Sequence, residues 1–77
     1  MKIIYDKKAD AAYIYLKKDS EITESWVTKT YPCDPFEVNG MINLDFDSEG
    51  HLGGIEIIDA SKKLPKYILD SAEQLSS

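Results

Sequence analysis

The sequence predicts an α+β domain: an antiparallel sheet of about five strands, built from hairpins as a β-meander, with one C-terminal amphipathic helix. Three observations carry this expectation. "MINLDFD" alternates strictly, with Ile42, Leu44 and Phe46 on one face and Asn43, Asp45 and Asp47 on the other, the period of a half-buried strand. "KIIYD" and "AAYIYLKK" are rich in β-branched and aromatic residues and flank a polar "KKAD", as the arms of a hairpin do. Only in the tail does the period lengthen. There Leu64, Ile68, Ala72 and Leu75 recur at spacings of four, four and three, which is a helical stripe.

In chain order, strands are expected over about 2–6 and 11–18, joined by a turn at 7–10. This pairs Tyr5 with Ala12, Ile4 with Tyr13 and Ile3 with Ile14. One face then collects Ile3, Tyr5, Ala12, Ile14 and Leu16, and the other Ile4, Tyr13 and Tyr15. Asp6 and Asp10 bracket the turn, where Asp side chains cap backbone N–H groups. "EITESWVTKTY" reads as a third strand over 21–31, and "PCDPFEVNG" is loop chemistry with two prolines and an Asn-Gly pair.

Strands 41–47 and 51–58 form the second hairpin, turning at Ser48, Glu49 and Gly50 with positive φ at Gly50. Phe46 then faces Leu52, and unbroken pairing beyond it would turn Ile55 and Ile57 to the polar face. A bulge at Gly53-Gly54 restores the parity, setting Leu44 against Ile55 and Ile42 against Ile57. The helix is expected over about 65–75, with Pro65 in its first turn, where a missing N–H costs nothing. Residues 1–77 read as a single domain with no internal repeat.

A chain of 77 residues buries only about 60% of its unfolded surface. Its core is marginal, and self-association as a dimer or higher homo-oligomer is expected. The net charge is −5 and all nine basic residues are Lys. Without Arg there is no bidentate fork for phosphate or guanine, and an acidic surface repels a polyanion. Nucleic acid is therefore not an expected partner, whereas a small basic protein is. The single Cys33 forms no internal disulfide, and one Cys with one His cannot build a closed zinc site. "MKIIYDKKAD" lacks the apolar core of a signal peptide, and no apolar run reaches membrane-spanning length. A cytoplasmic protein without a membrane segment is the expectation.

"DFDSEGHLGGIE", Asp45 to Glu56, follows the spacing of a calcium loop except for Glu49 at the fifth ligand position. That loop needs helices on both sides. Here the preceding segment has period two, and Gly53-Gly54 followed by "IEII" is poor material for an exit helix. The hairpin explains more, and oxygens along a twisted hairpin are expected to alternate between faces. Neither a metal nor a cofactor is expected. The alternative is a small metal-dependent enzyme using Asp45, Asp47, Glu49, His51 and Glu56, motivated by the density of oxygen ligands alone.

No catalytic set emerges. His51 follows a turn glycine with no nucleophile or third group to complete a relay. Cys33 lies between Pro32 and Asp34 with no neighbouring cation in sequence to activate it. Glu56 shares a face with Asp45, opposite Asn43. It is an ordinary outward acid if that face is solvated, and a buried acid needing the Tyr13 or Tyr15 hydroxyl if another chain covers it. The solvated alternative is preferred. Tyr13, Tyr15, Trp26 and Glu56 are the candidate protein-binding residues, since Tyr and Trp are enriched in binding hot spots. Asp6, Asp10, Gly50, Gly53 and Gly54 are assigned to turns and the bulge. A non-catalytic binding module is therefore expected rather than an enzyme.

Two stretches resemble the small prokaryotic proteins of domain of unknown function 2283. "YDKKADAAYIYL" is similar to the family's opening, Tyr-Asp, three residues, Asp, two residues, Tyr-Ile, one residue, Leu. "EGHLGGIEIIDAS" is similar to its closing Asp-Gly-x-Leu-x-Gly-Ile-Glu-Ile-x-x-Ala-Ser, with Glu49 in place of the Asp. The segment "TKTYPCDPFEVNG" is longer than the link the family uses. The resemblance implies a small α+β domain without an assigned activity, and an antitoxin-like role as the companion of a small toxin.

Overall fold

Alternation of apolar residues in four short segments produces a six-stranded sheet, and the computed structural model describes residues 1–75 of it. The strands are β1 (Lys2–Asp6), β2 (Ala11–Tyr15), β3 (Lys29–Pro32), β4 (Ile42–Phe46), β5 (Leu52–Ile58) and β6 (Glu73–Gln74). Their spatial order is β3-β4-β5-β2-β1-β6. Short helices are α1 (Pro35–Val38), α2 (Ala60–Lys63) and α3 (Lys66–Ser71), with one 3₁₀ turn at Asp19–Glu21. No helix among the described residues is long and apolar enough to cross a membrane.

Both hairpins have the register that their side-chain parity demands. Tyr5 faces Ala12 and Ile3 faces Ile14. In the second hairpin Ile42 faces Ile57, Leu44 faces Ile55 and Phe46 faces Leu52, with the register shift between Asp45 and Phe46. Gly53 is the extra residue of that bulge, because Asp45 pairs with Gly54. β2 then pairs with β5, which unites the hairpins into one sheet. Gly50 turns the second hairpin at φ +83°, a conformation that costs glycine nothing.

The sheet is mixed, not purely antiparallel, it has six strands, not five, and it is not a β-meander, because β2 pairs with β5 and not with β3. The sixth comes from the tail, where β6 runs parallel to β1 with Ile4 opposite Glu73 and Tyr5 opposite Gln74. Leu75 N–H extends the pairing to Tyr5 C=O at 3.0 Å. The outer edge of β1 would otherwise present unpaired backbone groups, and satisfying them outweighs the weak helical preference of the last residues.

A single helix over 65–75 does not form either. Pro65 disfavours a helical conformation at Leu64, whose ψ of 144° ends α2. α3 starts afresh at Lys66 and stops before Ala72, where ψ is 153°. Of the predicted stripe, Leu64 and Ala72 pack against the core, but the buried residue of α3 is Leu69, and Leu75 is exposed.

The predicted strand 21–31 shrinks to β3. β4 ends at Phe46, opposite Lys29, so residues before Thr28 have no strand left to pair with. Pro32, which lacks an N–H, sits on this edge strand, where that loss is tolerated. β2 likewise stops at Tyr15 and not at residue 18, after Leu16 N–H bonds Gly53 C=O at 2.9 Å. Within the 32–40 segment α1 forms because Asp34 caps it, accepting from Phe36 N–H at 2.9 Å, with Pro35 at its first position.

The core is small: Tyr5, Ala12, Ile57, Ala60 and Leu69 are buried. All three sheet residues of this cluster lie in one row across β1, β2 and β5, and α2 and α3 cover that row. Asp10 holds α2 in place. Its C=O accepts Ala60 N–H at 2.9 Å, and its carboxylate accepts Ser61 N–H at 2.9 Å, Ser61 Oγ at 2.7 Å and Tyr5 Oη at 2.7 Å. Asp59, the adjacent residue in sequence, makes no such cap. The hairpin turn therefore caps a helix some fifty residues away, and the Ser61 and Tyr5 bonds hold the Asp10 carboxyl below its ordinary range.

Candidate functional site

Residues of alternate parity on β1, β2, β4 and β5 point away from the helices and form the open face of the sheet. Ile4, Tyr13, Glu56 and Asn43 make one row across it, and Tyr15, Gly54, Asp45 and Thr30 make the next. Tyr13, Tyr15 and Glu56, three of the four residues expected to bind a partner, are thus neighbours. All three are half-buried rather than fully solvated.

The rows are joined by hydrogen bonds across strands. The Tyr13 ring crosses over Gly54 to donate its hydroxyl to Asp45 Oδ2. Thr30 Oγ1 donates to Asp45 Oδ1 at 2.6 Å. Asp45 is buried, and these two donors compensate its lost hydration. Burial, and then the bond to Asp45, push the Tyr13 hydroxyl well above its ordinary pKa. Glu56 finds its partner in Asn43, whose Nδ2 donates at 2.8 Å. The Tyr hydroxyls expected to serve it if the face were covered are not its partners. Tyr15 stands beside Tyr13 with ring centroids 4.6 Å apart, within the range for favourable aromatic pairs.

Gly54 makes this arrangement possible. A Cβ there would lie 2.6 Å from Cε1 and Cζ of Tyr13, closer than carbon atoms approach. Its backbone is not in the left-handed region, so its role is room for the ring and not unusual backbone freedom. Gly53 does the same for Trp26, whose Cζ3 would lie 2.5 Å from a Cβ. Trp26, the fourth expected contact, is therefore half-buried against the bulge, with Lys17 Nζ 5.6 Å from its ring centre.

The acidic hairpin divides into two groups. Asp45 and Glu56 belong to the open-face network. Asp47 organises the turn, accepting from Glu49 N–H at 3.0 Å and His51 N–H at 2.9 Å on Oδ1, and from Lys17 Nζ at 2.8 Å on Oδ2. The Lys17 bond first, then the backbone bonds, hold its carboxyl down at about 2. Asp47, Glu49 and His51 can each bring an atom within 4.8 Å of the others. Oxygens along this hairpin do converge to that extent, contrary to the expectation of alternating faces, because the turn curls back on itself. Both Asp47 oxygens are nevertheless occupied, and strands, not helices, flank the loop. His51 is exposed, with Nδ1 3.8 Å from Asp47.

Asp6 serves the other turn, accepting Lys8 N–H at 3.1 Å and Ala9 N–H at 3.2 Å. Cys33 is a free thiol, half-buried rather than fully exposed. No buried side-chain nitrogen or oxygen among the described residues lacks a partner. A groove of about 550 Å³ runs along Lys2, Lys17, Lys18 and Glu73 and involves none of the open-face network.

Sequence reasoning missed the Tyr13–Asp45–Thr30, Lys17–Asp47 and Tyr5–Asp10–Ser61 connections. Each joins segments that only strand order brings together. The available signal was Gly54, a glycine inside a central strand, which marks close approach by another group.

No curated protein and no solved structure matches the chain. The model of one family does match, over residues 2–61, a span containing both hairpins, the open-face network and the Asp10–Ser61 link between the two signature stretches. The chain belongs to the family described as protein of unknown function (DUF2283).

Proposed function

We propose that this domain is a non-catalytic protein-binding module that engages a basic protein through the open face of its sheet. The observation that carries the proposal is the pairing on that face of half-buried aromatic rings, Tyr13 and Tyr15, with the carboxylate of Glu56. Rigid Tyr rings lose little entropy on binding and dominate many interfaces. Beside them Glu56 supplies charge for a Lys or Arg of the partner, and the net charge of −5 steers such a partner in. A small toxin of basic character fits this chemistry, which makes an antitoxin-like role the specific form of the proposal.

Catalysis is the weaker alternative. Asp10, Asp45 and Asp47 each accept bonds from structural partners, so none is poised to take a proton from a substrate. The metal-dependent form has in its favour only the proximity of Asp47, Glu49 and His51, and it requires Lys17 to release Asp47.

Affinity capture from the native host with the tagged domain, compared with Tyr15→Ala and Glu56→Lys variants, tests the proposal. The expected result is a basic protein held by the parent, released by high salt and not retained by either variant. Retention by both variants, or a partner that is acidic or a nucleic acid, overturns it. Metal-dependent turnover lost on Asp47→Asn would favour the alternative.

A further inference from the structure

One edge of the sheet is closed by the chain's own tail, and only lightly. β6 consists of Glu73 and Gln74, both exposed. It pairs with Ile4 and Tyr5, and Leu75 N–H adds its bond to Tyr5 C=O. No residue of β6 joins the core, to which the tail makes its last contribution at Ala72. The Gln74 side chain bonds back toward α3 and not to the sheet, its Nε2 donating to Leu69 C=O at 3.2 Å and Ala72 C=O at 3.1 Å. The family match ends at residue 61, so β1 and its edge lie within the matched span and β6 lies outside it. Grooves flank β6 at both ends. At Glu73 the groove of about 550 Å³ is lined by Lys2, Ile3, Lys17, Lys18 and Asp19. At Gln74 a second, of about 330 Å³, is lined by Tyr5, Lys7, Leu69 and Asp70.

We propose that the outer edge of β1 is a strand-accepting site for an extended segment of a partner protein, and that β6 occupies it until that segment displaces the tail. A strand running parallel to β1, as β6 does, gains the same main-chain bonds, which give strand addition its affinity. Being longer than β6, it also reaches both grooves, and alternate side chains there give specificity. Glu73 leaves with the tail, so Asp19 is then the only acid among the lining residues of the first groove, against Lys2, Lys17 and Lys18. Lys17 keeps its bond to Asp47, and Lys2 and Lys18 favour an acidic residue at the leading end of the segment. An apolar side chain in the place of Gln74 sits beside Tyr5 and Leu69. The site is an edge and not the open face, so it goes beyond the binding function proposed above and is tested apart from it.

NMR titration of the full chain with the synthetic peptide Asp-Glu-Val-Thr-Ile-Val tests this. The peptide is expected to shift the Ile4 and Tyr5 amide signals and to speed solvent exchange of the Leu75 amide, which loses Tyr5 C=O. Leu75→Pro removes that N–H at a position 55% exposed. This variant is expected to bind the peptide roughly tenfold more tightly, because the site is no longer shared with the tail. Asp-Glu-Val-Ile-Thr-Val, which moves Ile to the opposite face of the strand, is expected to bind more weakly. Binding to neither protein overturns the proposal. So does binding that leaves the Leu75 amide protected, or equal affinity for parent and Leu75→Pro. Equal affinity for the two peptides overturns the role of the Tyr5–Leu69 groove. If Leu75→Pro does not fold, the Leu75 exchange of the parent decides alone.

Discussion

The two faces of the same sheet are ordered by different forces. Tyr5, Ala12 and Ile57 on one face are excluded from water by Ala60 and Leu69. Tyr13, Asp45, Thr30, Asn43 and Glu56 on the other are ordered by side-chain hydrogen bonds between strands. Burial is non-directional and tolerates apolar exchange of similar volume. A buried carboxylate tolerates nothing that removes a donor. One face is thus specified by volume and the other by identity, and neighbouring residues of one strand obey different rules.

The largest test of this contrast is on the covered face. Leu69→Ala is expected to cost about 2–5 kcal/mol, the range for truncating a buried Leu, which is much of the stability of so small a domain. Ile68→Ala, at a half-buried position, is expected to cost clearly less. Urea unfolding of the two variants compares them, and equal losses would mean that α3 docks through a different side.

On the open face, Gly54→Val is expected to cost about 1–3 kcal/mol, because the new side chain displaces the Tyr13 ring. The cause is separable from any effect on strand pairing by a double-mutant cycle. In a Tyr13→Ala background the Gly54→Val penalty should shrink. An unchanged penalty would locate the effect in the bulge instead.

A smaller change isolates the hydrogen bond itself. Tyr13→Phe keeps the ring but removes one of the two donors to Asp45, for an expected cost of about 1–3 kcal/mol. Thermal unfolding of this variant, of Thr30→Val and of the pair should be non-additive, since both act on one carboxylate. Strict additivity would show that the network is two independent contacts.

The mildest test concerns the turn. The Asp47 carboxyl is held at about 2, below its unfolded value of about 3.9. Its contribution is therefore fully present above pH ~4 and lost as the pH falls through about 2. Lys17 is raised by the same bond, so its share is lost only at strongly alkaline pH, above its unfolded value near 10.4. Lys17→Met should move the Asp47 titration, followed by carboxyl NMR, up toward the ordinary range. A titration that stays put would assign the shift to the Glu49 and His51 backbone bonds alone.

The sequence by itself determined the hairpins. Parity along "MINLDFD" and "LGGIEII" admits one register that keeps Ile42, Leu44, Ile55 and Ile57 on a common face, and that register demands an extra residue at the two glycines. These are local constraints, legible because pairing partners lie a few residues apart. What only the tertiary structure decided is the use of free edges and the meeting of distant segments. The helical spacing of Leu64, Ile68, Ala72 and Leu75 is sound, yet the chain breaks at Pro65 and its end becomes β6 because the edge of β1 offers backbone partners. Residues 22–28 carry strand-forming side chains but lie beyond the end of β4, so propensity finds no partner to act on. The choice of Asp45 as acceptor for Tyr13, and of Asp10 as cap for α2, depends on the order β4-β5-β2-β1. That order reflects the pairing energy of whole strands, and no single stretch of sequence encodes it.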